Sequence, residues 1–248
     1  MYISIVIMML LSHKCISAIK QSASSPYTFS KSLKTITLTV AQKLYLDLLN
    51  TRTASLVVSH GPAGCGKTML ACSAAVKHFR EGAVKKIVLT RPVISVSEEN
   101  IGFLPGNINT KMDPWMRPLL DALGEHYTTK EINTLIRDGH IEIAPLGFMR
   151  GRTFKNAWVV ADEMQNSTPI QMRMITTRIG EDSKLVITGD LEQSDLGQQN
   201  GLAEFIDVWK NAKLISGLTG IYCLELSSHD VKRSKIVSDV LAMYKTKK

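Results

Sequence analysis

Six short apolar runs are spaced along the chain, and amphipathic stretches with helical spacing separate them. The runs are four to six residues long, which is the length of a buried strand rather than of a helix. Because strands and helices alternate, the pattern predicts an α/β fold in which helices cover both faces of a mostly parallel sheet. The predicted strands are 55–60, 86–90, 141–144, 157–161, 184–188 and 221–226, and the predicted helices are 39–50, 69–80, 128–138, 166–179, 200–210 and 230–244.

The stretch 95–121 departs from this alternation. It contains Pro105, Pro114 and Pro118 together with two glycines. Each proline removes a backbone N–H and clashes with the preceding helical turn, so we expect no long helix here. We interpret the stretch as an irregular insertion that lies over an edge of the sheet.

Residues 1–34 differ in character from the rest, because an apolar run at 3–11 is followed by a serine-rich segment. The run is too short to span a bilayer, which takes about 20 apolar residues. No Lys or Arg precedes it and no clean cleavage site follows, which disfavours a signal peptide. We interpret 1–34 as an appended leader and linker, with a membrane-associating leader as the alternative, and 35–248 as one domain. We expect a cytoplasmic protein without stable membrane insertion.

Net charge and cysteine content indicate which binding partners and which cellular compartment suit this protein. A formal net charge of +8 favours an anionic partner, with nucleic acid as the first candidate, although part of the excess lies in a lysine-rich end at 245–248. The four cysteines form no C-x-x-C pair, which disfavours a zinc site and suits a reducing compartment. Cys65 lies at a predicted helix N-terminus, where the pKa of a thiol tends to fall, and a small filler is the alternative role.

A P-loop follows the first predicted strand, with the sequence Gly61-Pro62-Ala63-Gly64-Cys65-Gly66-Lys67-Thr68. Glycines allow several backbone N–H groups to converge on phosphate oxygens, and the positive end of the next helix adds to the attraction. Lys67 is expected to reach the β- and γ-phosphates, and the Thr68 hydroxyl is expected to bind Mg²⁺. The order strand, glycine loop, helix favours this interpretation over a chance glycine turn.

Two acidic residues, Asp162 and Glu163, directly follow the fourth predicted strand. A buried strand that ends in two acids is the Walker B element that completes the ATP site of a P-loop protein. Asp162 is expected to hold Mg²⁺ through water. Glu163 is expected to orient and deprotonate the attacking water.

Polar residues also end the second and fifth predicted strands. Ligands of open α/β sheets bind beyond the carboxyl ends of the strands. We therefore expect Thr90 and Arg91 to meet a phosphate group of a nucleotide or a nucleic acid. The amide of Gln193 is expected to sense the γ-phosphate or the attacking water.

The segment 145–154 combines Arg150 and Arg152 with Phe148 and Phe154 on a glycine-containing turn. Arginines that grip a backbone, beside aromatic rings that stack on bases, are typical of single-strand binding. An exposed basic turn without a ligand is the equal alternative.

Jointly, these residues resemble the PhoH-like family of phosphate-starvation-inducible ATPases, which are common in bacteria and phages. The resemblance covers roughly 35–244. The residues that carry it are the P-loop, Thr90-Arg91-Pro92, Gly102-Phe103-Leu104-Pro105-Gly106, Asp113-Pro114, Arg117-Pro118, Pro145-Leu146, Arg150-Gly151-Arg152-Thr153-Phe154, Asp162-Glu163, Gln165-Asn166, Thr188-Gly189-Asp190 and Gln193.

The resemblance implies a RecA-like P-loop core that uses ATP and Mg²⁺ and is related to one motor domain of superfamily 1 helicases. By the same resemblance, Gln42 looks like an adenine-reading glutamine and Gln193 like the residue that couples hydrolysis to movement. Arg233 matches an arginine that suits a γ-phosphate finger, and Arg178 is a second candidate.

Two features depart from the family pattern. Cys65 replaces the usual small hydroxyl residue, which we expect to be tolerated because the backbone N–H does the binding. Ser234-Lys235 replaces the usual His-Pro after Arg233.

We therefore expect an ATPase that couples hydrolysis to single-stranded nucleic acid, with RNA favoured, and that forms a homo-oligomeric ring to complete its site. A P-loop kinase for a small molecule is one alternative, although Glu163 argues against it. An ATP-dependent switch or scaffold without turnover is another, although the intact Lys67, Thr68, Asp162 and Glu163 argue against it.

Overall fold

The computed structural model describes residues 37–93, 108–197, 199–215 and 219–231. Within them, six strands form one sheet, and every neighbouring pair is parallel. The strands are β1 (Leu56–His60), β2 (Lys86–Arg91), β3 (Ile141–Pro145), β4 (Ala157–Ala161), β5 (Lys184–Gly189) and β6 (Ile221–Glu225). Their order across the sheet is β3-β2-β4-β5-β1-β6.

Helices cover both faces of this sheet. They are α1 (Val40–Asn50), α2 (Lys67–Arg80), α3 (Ile108–Gly124), α4 (Thr129–Arg137), α5 (Pro169–Thr176) and α6 (Gly201–Ile215). Alternate strand residues face opposite sides, so Val57 and Val186 join the core under α1 to α4, whereas Val58 and Ile187 join the core under α5 and α6. The predicted RecA-like α/β fold with a mostly parallel sheet is therefore confirmed.

The prediction of an irregular 95–121 is wrong for its second part, because α3 continues through Pro114 and Pro118. Its last turns carry Met116, Leu119 and Leu123, which are almost fully buried in the core. Burying each such side chain stabilises the fold by about 1.5–3 kcal/mol, so the three together are comparable to the penalty of about 3 kcal/mol for each of the two prolines. Residues 94–107 lie outside the described residues.

Several predicted boundaries also shift. Helix α5 ends at Thr176 rather than at 179, because Ile179 forms a parallel bridge with Phe154 instead. Helix α6 continues to Ile215 rather than ending at 210. The predicted last helix at 230–244 lies outside the described residues from 232 onward, and 228–230 form a short 3-10 turn.

The carboxyl ends of the parallel strands meet at one edge of the sheet. The P-loop follows β1, the acidic pair follows β4, and β5 lies between these two strands. Among the described helices, none has both the length and the apolar character needed to cross a membrane.

Candidate nucleotide-binding site

The loop between β1 and α2 curls through three glycines with positive φ, namely Gly61 (143°), Gly64 (87°) and Gly66 (87°). Gly61 is also required by space, since a Cβ atom there would lie 2.0 Å from the carbonyl oxygen of Leu226. The sequence therefore keeps the loop tight against the chain that follows β6.

Lys67 is the first residue of α2 and is largely buried. Its Nζ donates to the carbonyl oxygens of Gly61 at 2.6 Å and Pro62 at 3.0 Å, so it lies across the loop. Cys65 is also buried, and burial raises the pKa of its thiol despite the nearby Lys67 ammonium. The expected lowering of this pKa is therefore wrong, and the side chain is a small filler beneath the loop.

Asp162 directly follows β4 and is 1% exposed. Its Oδ1 accepts hydrogen bonds from the Thr68 hydroxyl at 2.7 Å and from the Thr188 hydroxyl. Its Oδ2 accepts from Nε and Nη2 of Arg91 at 2.9 and 2.6 Å. One carboxylate thus joins the P-loop helix to the ends of β2 and β5. Arg91, expected to meet phosphate, instead pairs with a carboxylate.

Glu163 adopts a left-handed backbone conformation with φ 55°, which is unusual for a non-glycine residue. Its Oε1 accepts from Arg91 Nη2 at 3.3 Å, and its Oε2 accepts from the Gln165 side-chain amide at 2.6 Å. The side chain stays 44% exposed. The carboxylate is therefore oriented from two sides and still accessible to a ligand.

A cavity of about 240 Å³ joins the P-loop, both acids and the turn after β5. Its lining residues are Ala63, Gly64, Gly66, Lys67, Thr68, Met69, Asp162, Glu163, Gly189, Asp190 and Gln193. The structure thus brings together the predicted P-loop, Walker B and Gln193 positions, which are far apart in sequence.

The donor set suits Mg²⁺. The Thr68 hydroxyl and the Asp162 carboxylate lie 2.7 Å apart at the cavity wall, and both are hard oxygen donors. Mg²⁺ binds proteins through one or two carboxylates together with substrate phosphates rather than through a full protein cage, so two protein donors are sufficient.

Gln42 lies outside this cavity lining and is 3% exposed. Its Nε2 donates to the carbonyl oxygens of Cys65 at 2.9 Å and Asp230 at 3.1 Å, and its Oε1 accepts from the Thr39 N–H at 3.0 Å. All of these partners are backbone groups. Reading adenine would require the amide to exchange them, so the role of Gln42 stays a prediction.

Of the two candidate finger arginines, the structure describes only Arg178. Arg233 lies outside the described residues. Arg178 follows α5, and its backbone carbonyl accepts from the Phe154 N–H at 2.9 Å. It is not among the described residues that line the cavity.

The turn after β3 separates its four predicted nucleic-acid residues into two groups. Arg152 forms a two-point ion pair with Glu142, and Phe154 is 4% exposed in the core. Phe148 is 55% exposed and Arg150 is exposed. Burial therefore excludes Phe154 as a stacking residue, and it anchors the turn in the core instead. The Arg152 guanidinium is held by Glu142 but its side chain stays 34% exposed, so ligand contact by Arg152, Phe148 and Arg150 stays a prediction.

Three buried residues at the site belong to the set that carries the family resemblance, but the sequence assigned them no individual role. Thr188 donates to Asp162, Gln165 donates to Glu163, and Asp190 accepts from the Ala63 N–H at 2.9 Å. Thr188 lies near the end of β5, Asp190 follows β5, and Gln165 follows β4. Their place at the carboxyl ends of the strands was the feature of the sequence that indicated a role in the site. What they contact depends on the neighbouring strand, which a single sequence does not show.

Comparison with known proteins gives one consistent family. The family model for PhoH-like protein matches residues 34–245. A PhoH-like protein of Bacillus subtilis is 44% identical over 208 residues, which are 83% of this chain and 62% of that protein. The protein PhoH of Escherichia coli K12 is 36% identical over 208 residues, which are 82% of this chain and 56% of that protein. The chain thus spans little more than half the length of these relatives.

Solved structures show a more distant likeness. The large terminase of a thermophilic bacteriophage has a TM-score of 0.49 at 10% identity over 83% of this chain and 50% of that chain. The Pif1 helicase of Candida albicans has a TM-score of 0.42 at 14% identity over 84% of this chain and 43% of that chain.

Proposed function

Since the chain belongs to the PhoH-like family and carries a P-loop NTPase site, we propose that it hydrolyses ATP with Mg²⁺ and couples this reaction to single-stranded nucleic acid. The observation that carries the ATPase proposal is the 2.7 Å contact between Thr68 and Asp162, with Glu163 in the same cavity. It joins the phosphate-binding and acidic motifs into one site.

The P-loop binds the phosphate chain. Its backbone N–H groups and the positive end of α2 attract the negatively charged oxygens. Lys67 now donates to two loop carbonyls, and it would turn its ammonium toward the β- and γ-phosphates. Thr68 and Asp162 would hold Mg²⁺, which neutralises the charge that develops on the phosphate oxygens.

Glu163 would orient a water molecule toward the γ-phosphate and accept its proton as the bond to the leaving ADP breaks. Its exposed carboxylate lies in the cavity and is held by Arg91 and Gln165, which suits a base that must keep one direction. Gln193 lines the same cavity from the turn after β5 and would contact the γ-phosphate or this water.

A finger arginine and the adenine contact complete the proposal. The described lining of the cavity contains no arginine, so a finger would come from elsewhere. Arg233 remains our candidate, either from the same chain or from a neighbouring subunit of a homo-oligomeric ring. Gln42 remains the proposed adenine contact, after exchange of its present partners.

Nucleic-acid binding is supported by charge and by one surface. The net charge is +8, and Phe148 and Arg150 project from the turn after β3, at the same edge of the sheet as the cavity. An exposed aromatic ring beside an arginine suits a stacked base and a phosphate. Single-stranded RNA is our favoured ligand, with DNA as the other outcome of the test.

The test is ATP hydrolysis by the wild type and by Glu163→Gln, with and without single-stranded RNA or DNA, at low and moderate salt. We expect hydrolysis that one nucleic acid stimulates in a salt-sensitive way and that is lost in Glu163→Gln. Hydrolysis without any response to nucleic acid would overturn the coupling. Glu163→Gln with wild-type turnover would overturn the role of Glu163.

A further inference from the structure

Gln165 connects the loop after β4 to the loop after β5. It lies two residues beyond Glu163 and is 1% exposed. Its side-chain Nε2 donates to Glu163 Oε2 at 2.6 Å, and its Oε1 accepts from the backbone N–H of Asp190 at 3.0 Å. The donor and the acceptor of one buried amide therefore serve two different loops of the site.

The connection continues to the P-loop. The Asp190 carboxylate is itself nearly buried, and its Oδ2 accepts from the Ala63 N–H at 2.9 Å. Three successive hydrogen bonds thus link the start of the phosphate-binding loop to the carboxylate of Glu163.

The backbone of β5 and the Ser194 side chain both pack closely against Gln165. A Cβ atom on Gly189 would lie 2.8 Å from Gln165 Oε1 and 3.2 Å from its backbone nitrogen, so the close approach of β5 needs a glycine. The Ser194 hydroxyl also donates to the Gln165 carbonyl oxygen at 2.8 Å. These contacts fix the main chain and the side chain independently of Glu163.

We infer that Gln165 is a positioning residue that sets the direction of the Glu163 carboxylate and links it to the P-loop. The inference rests on the proposed ATPase function. Glu163 is half-exposed on a left-handed backbone, so its carboxylate needs a fixed partner to keep one direction. Arg91 contacts the other carboxylate oxygen at 3.3 Å, whereas the buried Gln165 amide makes the shorter contact of 2.6 Å from a locked rotamer.

The decisive variant is Gln165→Glu. It keeps the shape and the acceptor for Asp190, but it places a carboxylate oxygen where the donor to Glu163 was. We expect kcat to fall at least about 30-fold, because misplacing a reacting group by about 1 Å reduces rates on the order of 100-fold. The equilibrium Kd for ATP, measured with a fluorescent nucleotide, should stay within about twofold, since Gln165 does not line the cavity.

Gln171→Glu is the matched control. It makes the same chemical change six residues later, where Gln171 Oε1 accepts from the Thr168 N–H in a capping box and a glutamate serves equally well. We expect wild-type kcat, Kd and melting temperature. If Gln165→Glu unfolds, Gln165→Met also removes the hydrogen bond to Glu163, because methionine has a similar length but no donor and no charge.

The outcomes separate the inference from the proposed function. Wild-type hydrolysis with an equally active Gln165→Glu would overturn the inference and leave the ATPase intact. A parallel loss of ATP affinity and kcat in both Gln165 variants would also overturn it, since it would show a general structural role. A wild type that does not hydrolyse ATP would remove the proposed function and, with it, this inference.

Discussion

Arg91, at the end of β2, donates two hydrogen bonds to the carboxylate of Asp162, which follows the neighbouring strand β4. The two side chains are only 13% and 2% exposed. The pair ties two strand ends together at the wall of the nucleotide cavity. An arginine that would otherwise be assigned to phosphate binding thus contributes to the architecture of the acidic pair.

Arg91→Ala should lower the free energy of unfolding by about 3 kcal/mol, because it leaves a buried carboxylate without its charged partner. Arg91→Lys should recover only part of the lost free energy of unfolding, since a lysine cannot make the same two-point contact with Asp162. Urea unfolding measures both. Arg137→Ala is the control, because its ion pair with Asp138 is 73% exposed on the arginine side and should be worth less than about 1 kcal/mol. Equal stability of Arg91→Ala and wild type would contradict the assignment.

Gly61→Ala should abolish measurable ATP binding and destabilise the fold. The added Cβ would overlap the carbonyl of Leu226, and the residue has a φ that side chains disfavour, so the loop must move away from β6. Gly139→Ala is the matched control, because Gly139 also has positive φ but has open space around it. It should lower stability by about 1 kcal/mol and leave ATP binding intact. Nucleotide fluorescence titration and thermal melting distinguish the two.

Phe148→Ala and Arg150→Ala should each weaken binding of a single-stranded oligonucleotide about tenfold, by different routes. Loss of a stacking ring should lower affinity at every salt concentration. Loss of a phosphate contact should also reduce the slope of log affinity against log salt by about 1. Fluorescence anisotropy at several salt concentrations measures both effects. Val208→Ala, which removes an exposed apolar side chain from α6, should have no effect. Unchanged affinity in both variants would place the binding surface elsewhere.

Glu142→Gln should lower stability at neutral pH, and the difference should disappear in acid. Hydrogen bonds from Arg152, and then from Lys86, hold the pKa of Glu142 near about 2, below its ordinary value of 4.5, although burial opposes this. The lowered pKa gives stability that is complete above pH 4.5 and is lost as the pH falls toward about 2. Allowing for partial exposure, we expect a difference of about 1–2 kcal/mol at neutral pH. Urea unfolding of both proteins at about pH 7, 4.5 and 3 tests this, and a constant difference would contradict it.

The strands and the P-loop could be predicted because their signals are local. Buried parallel strands give short apolar runs, and a phosphate loop needs its glycines, lysine and threonine next to one another. The acidic pair was identifiable in the same way, from its place at the end of an apolar run. The family resemblance added the wider set of residues, and the match to residues 34–245 confirms that resemblance.

The partners of polar side chains were not predictable to the same degree. Arg91 meets a carboxylate 71 positions later, and Gln42 bonds to a carbonyl 188 positions later. Arg150 and Arg152 look alike in sequence, yet only Arg152 lies where Glu142 of β3 can bind it. Similarly, α3 is a helix despite two prolines because its buried residues pack on α2, which local propensity does not report.

Strand β1, which the P-loop follows, pairs with β5 and β6, two strands that come much later in the chain. Strands β5 and β6 are synthesised long after the P-loop. During translation, β1 therefore has no strand to pair with until most of the chain has been made. Sheet pairings of such long sequence separation form slowly. The nascent protein should therefore acquire its phosphate-binding loop late and in one cooperative step, and a chain stopped before β5 should hold the complete motif without the ability to use it.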